Sequence, residues 1–188
     1  MDLTFRPLDR ADLPRLGQWI AAPHVQPWWR EPADLGSVEA AYGPAIDGPD
    51  PTELFVVQLD GRPIGFIQRC LLRDNSDYGE ALSHAGTAPD AATIDYLIGE
   101  PTLVGQGLGT QLIAAFVADT WVRHPDVDSI VVAVQQDNVA SWRALEKAGF
   151  RRVWSGVVDS GHPSDDGDSH VYELSRVAYG IPQNDQQP

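Results

Sequence analysis

The 188 residues are 43% hydrophobic and 21% charged, a globular composition with enough length for a full core and no run of about 18 apolar residues to span a membrane. Thirteen Lys and Arg against 27 Asp and Glu leave a net charge of −14, which argues against nucleic acid as a partner, since phosphate binding needs clustered cations. That charge aids solubility and also draws in cationic small molecules.

A short first strand is expected over residues 3–6, where apolar and polar side chains alternate. Asp9 is placed to cap a helix over 11–21, with Leu13, Leu16, Trp19 and Ile20 on one face. A second helix is expected over 35–46. Strands over 53–59 and 63–72 are joined at Asp60-Gly61, a two-residue hairpin signal. Residues 73–92 are rich in Gly, Ser, Asp and Pro and read as a long loop, a length that often carries function. A strand over 93–99 leads through Gly105-Gln106-Gly107-Leu108-Gly109-Thr110 into a helix with Leu108, Leu112, Phe116 and Val117 on its buried face. Residues 129–134 are β-prone, a helix over 138–148 ends at Gly149, and 150–158 with 170–174 read as a closing antiparallel pair around an acidic connection.

This order predicts an α/β (α+β) chain, a mixed central sheet with helices on both faces, in one domain over residues 1–178 with a polar tail over 179–188. The N-terminus has no basic segment followed by an apolar core, so the expected location is cytoplasmic. The single cysteine, Cys70, forms no internal disulfide and reads as a buried small hydrophobe, and no metal site is expected.

Two features carry chemistry. In the glycine loop, small residues let backbone N–H groups approach an anion at a helix N-terminus, which suits a pyrophosphate. The P-loop pattern fails for want of its Lys, and the dinucleotide pattern fails because Thr110 and Leu112 stand where a further glycine is required. The second feature is Asp95, a carboxylate interrupting the apolar strand Ile94-Asp95-Tyr96-Leu97-Ile98. A charge there needs a partner or a task, and a carboxylate can bind an ammonium group and then remove its proton.

With the helix Asn138-Val-Ala-Ser-Trp-Arg-Ala-Leu-Glu-Lys-Ala-Gly-Phe150, the strand and glycine loop closely resemble the GNAT superfamily of acetyl-CoA-dependent N-acetyltransferases. The resemblance implies a GNAT fold in which the fourth and fifth strands splay apart to admit the pantetheine arm of acetyl-CoA. It implies donor contacts from Leu97, Ile98, Gly105, Gln106, Gly107, Leu108, Gly109, Thr110, Asn138 and Ser141. Leu145 stands where many members carry the tyrosine that protonates the leaving thiolate.

Within the superfamily the chain is most similar to aminoglycoside 6'-N-acetyltransferases, over residues 5–172. The matching pieces are His24-Val-Gln-Pro-Trp28-Trp29, Tyr42-Gly-Pro, Gly61-Arg-Pro-Ile-Gly-Phe-Ile-Gln68, Ile94-Asp95, the glycine loop and Glu146-Lys-Ala-Gly-Phe150. This implies acetyl transfer to a primary amine of a polycationic antibiotic, hence resistance, with Asp95 as the catalytic base. Trp28, Trp29, Tyr42, Asp77, Tyr78, Glu80, Asp166 and Asp168 would contact the substrate through carboxylates and aromatic faces. Core packing is the competing role for the aromatics, and plain solvation for the loop acids; His24 reads as a capping or packing residue. The alternatives are a siderophore-type N-acyltransferase, whose members tend to carry histidine at the position of Asp95, a peptide or protein N-acetyltransferase, and a non-catalytic module binding coenzyme A. The chain is expected to act as a monomer or homodimer, with no membrane and no nucleic acid as partner.

Overall fold

The computed structural model describes residues 2–180, so most of the expected tail, residues 181–188, lies outside the described residues. Seven strands form a mixed sheet in the order β1-β2-β3-β4-β5-β7-β6. The chain divides into two compact units, one holding the residues up to Cys70 with Ile94–Gly109, the other Leu71–Thr93 with the residues from Thr110 on.

In the first unit, β1 (Leu3–Pro7) runs antiparallel to β2 (Glu53–Leu59), and β2 antiparallel to β3 (Arg62–Leu71). The hairpin at Asp60-Gly61 closes on the pair Leu59↔Arg62, with φ of 48° and 77° at the two turn residues. Both are left-handed, the twist that a two-residue turn between strands requires. Asp9 caps a single helical turn, Arg10–Asp12, through a reciprocal capping box, and α1 (Leu13–Ile20) follows. The expected helix over 11–21 is thus two pieces. The one-turn α2 (Gln26–Trp29) is too short to leave a periodic signal, and Arg30 ends it at φ 58°. Asp34 caps α3 (Leu35–Asp47), which Gly48 stops at φ 103°. Leu13, Leu16 and Ile20 pack with Val38, Val56 and Phe66 in this unit's core.

Gly65 of β3 lies against β4 (Ala92–Ile98): a Cβ built on it would stand 2.2 Å from the Leu97 carbonyl oxygen. Only glycine admits that approach.

In the second unit, α4 (Ser76–Ser83) replaces part of the loop expected over 73–92. Asn75 caps it, and Leu82 is buried with Leu72 and Ala91. Its Ser and Gly content masks a one-sided helix. Then come α5 (Leu108–Arg123), β5 (Ser129–Gln135), α6 (Val139–Lys147), β6 (Arg151–Val157) and β7 (Asp168–Ser175). Leu112, Ile113, Phe116 and Val117 of α5 are fully buried. The buried Arg176 donates to the carbonyls of Val127 and His124 and stacks 4.7 Å over Trp121, tying down the C-terminal end of α5. β7 pairs antiparallel with β5 and with β6, where a bulge falls between Arg152 and Trp154. β4 and β5 are parallel, paired at Ala92↔Ile130 and Thr93↔Val131. Cys70 is half-buried rather than buried, because in the alternation along β3 it lies on the face opposite the buried Arg69, with the half-buried Gln68.

Candidate active site

The acceptor candidates of the first unit gather on β3, β4, α2 and α3. Along β4, Ile94 and Leu97 are buried while Asp95 is half-buried. Gln68 of β3 donates from Nε2 to Asp95 Oδ2 at 2.9 Å. A donor on a carboxylate is a strong hydrogen bond and fixes the rotamer of Asp95. Gln68 carried the same sequence signal as Asp95, a polar side chain in an apolar strand, but a neutral amide did not mark itself as chemical.

Tyr42 is 5% exposed. Its hydroxyl accepts from Trp29 Nε1 at 2.9 Å and donates to Glu31 Oε2 at 2.6 Å. Burial holds the phenol well above its usual pKa, and the Glu31 carboxylate and the charge of Asp95 push the same way. Tyr42 is therefore a neutral hydroxyl within the field of Asp95. Trp29 and Tyr42 both pack on Phe66 in T-shaped contacts, with centroids 6.0 and 5.5 Å away. Trp29 is thus a core residue at 9% exposure, whereas Trp28 is half-buried. Nothing in the sequence pointed to Glu31. The His24 ring nitrogen Nε2 lies 2.8 Å from the Ile98 carbonyl, the packing role expected of it. That bond commits one ring N–H to holding the end of β4.

The glycine loop also belongs largely to this unit. Gly105 and Gly107 have φ of 78° and 80°, and a Cβ on either would meet nothing within 4 Å. Glycine is needed there for the backbone angle rather than for space. The loop is exposed while the Leu108 side chain is buried, so α5 is anchored and its N-terminal backbone is presented outward. The first-turn N–H groups of a helix have no partner within it, and a 16-residue helix adds its dipole. Gln106 Nε2 donates to the Thr102 carbonyl at 2.6 Å, bracing the loop.

In the second unit, Asn138 caps α6: its Oδ1 accepts from Ser141 N at 3.2 Å. Its side-chain N–H groups donate to no described residue. Leu145 is fully buried on the inner face of α6 and offers no proton. Tyr172 donates to Glu146 at 3.0 Å, and burial with that carboxylate pushes its phenol up to about 12. Asp77 and Glu80 are exposed on α4, three residues apart and so on one face, while Tyr78 packs toward the core. Asp166 is exposed after the turn Pro163–Asp165, and Asp168 opens β7 instead of lying in the loop. Asp165 is buried and takes a 2.6 Å hydrogen bond from Ser160, a structural arrangement.

A family model described as an acetyltransferase (GNAT) domain matches residues 9–156. The chain belongs to the GNAT acetyltransferases. As a GNAT enzyme it takes an acetyl group from acetyl-CoA and passes it to an amine. The acetyltransferase is 29% identical over 162 residues to aminoglycoside N(6')-acetyltransferase type 1 of Klebsiella pneumoniae, covering 85% of this chain and 79% of the relative. It superposes on an aminoglycoside acetyltransferase in complex with coenzyme A and kanamycin with a TM-score of 0.81, at 27% identity, over 95% of this chain and 98% of that one. A complex with ribostamycin and coenzyme A gives 0.82 at 26% identity, over 98% and 99%. Among the described residues of the acetyltransferase, no group of three His, Cys, Asp or Glu side chains is arranged for a metal, and no helix is long and apolar enough to cross a membrane.

Proposed function

We propose that this acetyltransferase transfers the acetyl group of acetyl-CoA to a primary amine, the 6'-amine, of an aminoglycoside, and that the reaction confers resistance. The observation that carries the reading is Asp95, held by Gln68 and sharing its field with a buried neutral tyrosine. The named relatives are acetyltransferases of such antibiotics.

Acetyl-CoA supplies the activated thioester. Gly105 to Thr110 receive its pyrophosphate on backbone N–H groups, the edge of Leu97 and Ile98 aligns the pantetheine arm, and Asn138 and Ser141 at the start of α6 bind it. Asp95 receives the ammonium of the acceptor, takes its proton and leaves the nitrogen lone pair to form the amide bond as the thioester bond breaks. The departing thiolate is a stable anion and takes a proton from water, which fits the absence of a hydroxyl at Leu145. Trp28 and Tyr42 shape the sugar-binding wall, and the core residue Trp29 supports it by holding the Tyr42 hydroxyl. Asp77, Tyr78, Glu80, Asp166 and Asp168 serve the further ammonium groups of a polycation. Asp95 also disfavours the siderophore-type reading. The cytoplasm, where acetyl-CoA is made, is the place of action.

The test is incubation with acetyl-CoA and a panel including kanamycin and tobramycin, following thiol release and product mass. A product heavier by one acetyl group is expected, together with resistance in a sensitive bacterium. Absence of thiol release across the panel removes the aminoglycoside assignment.

A further inference from the structure

We infer that Glu31 is a positioning residue of the acceptor site, holding the Tyr42 hydroxyl proton so that the phenol oxygen meets the substrate only as an acceptor from a cationic N–H. The inference rests on the acceptor reading above and assigns a role to a residue that the sequence left unmarked.

The direction of each hydrogen bond follows from chemistry. An indole N–H can only donate, so the 2.9 Å contact from Trp29 occupies one lone pair of the Tyr42 oxygen. A carboxylate can only accept, so the 2.6 Å contact to Glu31 consumes the single hydroxyl proton. One lone pair remains. A phenol whose proton is not claimed by Glu31 is free to offer it to another carboxylate, and Asp95 is the one, after Glu31, whose charge acts on Tyr42. Such a bond would neutralise part of the anion meant for the ammonium. With the proton drawn to Glu31, the Tyr42 oxygen keeps only an accepting lone pair for the acceptor that the proposed function brings to Asp95.

The parts come from three places in the chain. Trp29 ends α2, Glu31 follows the left-handed turn at Arg30, and Tyr42 lies one buried face along α3. The left-handed Arg30 is what turns the chain so that Glu31 points back at Tyr42. Trp29 and Tyr42 are pinned by Phe66, so the oxygen has little freedom to reorient if the proton is released. An oxygen restricted to accepting favours a charged N–H donor over a neutral one, since charge-assisted hydrogen bonds are the stronger. Glu31 thereby contributes to the preference for ammonium without touching it.

The test is steady-state kinetics of Glu31→Gln, Tyr42→Phe and the double variant with acetyl-CoA and kanamycin. Glutamine can turn its amide N–H₂ toward the phenol and reverse the polarity. We expect Glu31→Gln to raise KM for kanamycin about tenfold, with kcat and the KM for acetyl-CoA each within about twofold of the unaltered enzyme. Glu31→Asp restores part of the loss. Once Tyr42 is Phe, adding Glu31→Gln has no further effect, because Glu31 acts through that hydroxyl. Melting temperatures identify any variant that fails to fold, in which case Glu31→Asp carries the comparison. An unchanged KM in Glu31→Gln, a loss confined to kcat, or additive effects in the double variant overturns the inference. If the unaltered enzyme acetylates no aminoglycoside, the acceptor reading falls first and takes the inference with it; an active enzyme indifferent to Glu31 sinks the inference alone.

Discussion

Asp95 is half-buried beside the buried Ile94 on β4 with Gln68 fixing one of its oxygens, so its removal as a base is cleanly separable from its removal as a packing element. Asp95→Asn keeps the shape and the contact distance while abolishing the negative charge. Turnover with an aminoglycoside is expected to fall by about 10²–10⁴-fold, and acetyl-CoA affinity measured by calorimetry to stay as it was. Turnover near that of the unaltered enzyme would take Asp95 out of the mechanism. Asp95 was legible in the sequence because a charge in an apolar strand is costly without a purpose. Glu31 was not, since an acidic residue after a tryptophan pair reads as an ordinary surface side chain until the turn at Arg30 is known. Trp28 and Trp29 show the same limit. Adjacent residues on a helical turn point about 100° apart, so one is drawn into the core and the other is left half-buried. The sequence alone does not say which.

At the scale of elements, α5 was legible because Leu108, Leu112 and Phe116 recur every fourth residue, and all three are buried. The glycine loop was legible because its composition is unusual. By contrast α2 is one turn long, and α4 hides its single buried face behind Ser and Gly. The parallel pairing of β4 with β5 was not read from the sequence: the family resemblance implied only that the two strands splay apart, and no local signal announces a partner so distant in sequence. The loop invites a specific substitution. Gly107 has φ 80° with open space around its missing Cβ, so Gly107→Ala strains the backbone without a clash. Left-handed angles cost a non-glycine residue about 1–2 kcal/mol. The loop relieves that cost by leaving the geometry that points its N–H groups at a pyrophosphate. The KM for acetyl-CoA is expected to rise about tenfold, while the KM for the amine and the melting temperature move little. An unchanged acetyl-CoA KM would mean that the loop's conformation is not what grips the donor.

For the whole molecule, the net charge of −14 bears on both substrates with opposite sign. An aminoglycoside is a polycation and is drawn in; acetyl-CoA carries phosphates and is repelled except where the α5 N-terminus offers its N–H groups. Salt weakens both effects, because the screening length shortens from about 30 Å at 0.01 M to about 10 Å at 0.1 M. Raising ionic strength across that range should therefore lower kcat/KM for a tetracationic aminoglycoside by about tenfold or more, mostly through the rate of encounter. The KM for acetyl-CoA should fall or hold constant under the same conditions, since screening relieves its repulsion. The comparison controls itself: a general effect of salt on folding or chemistry would move the two substrates together. Steady-state measurement of both constants over a sodium chloride series decides the matter. If neither constant depends on salt, the acidic surface acts for solubility, and recognition of the polycation rests on carboxylates close enough to touch it, Asp95 first among them.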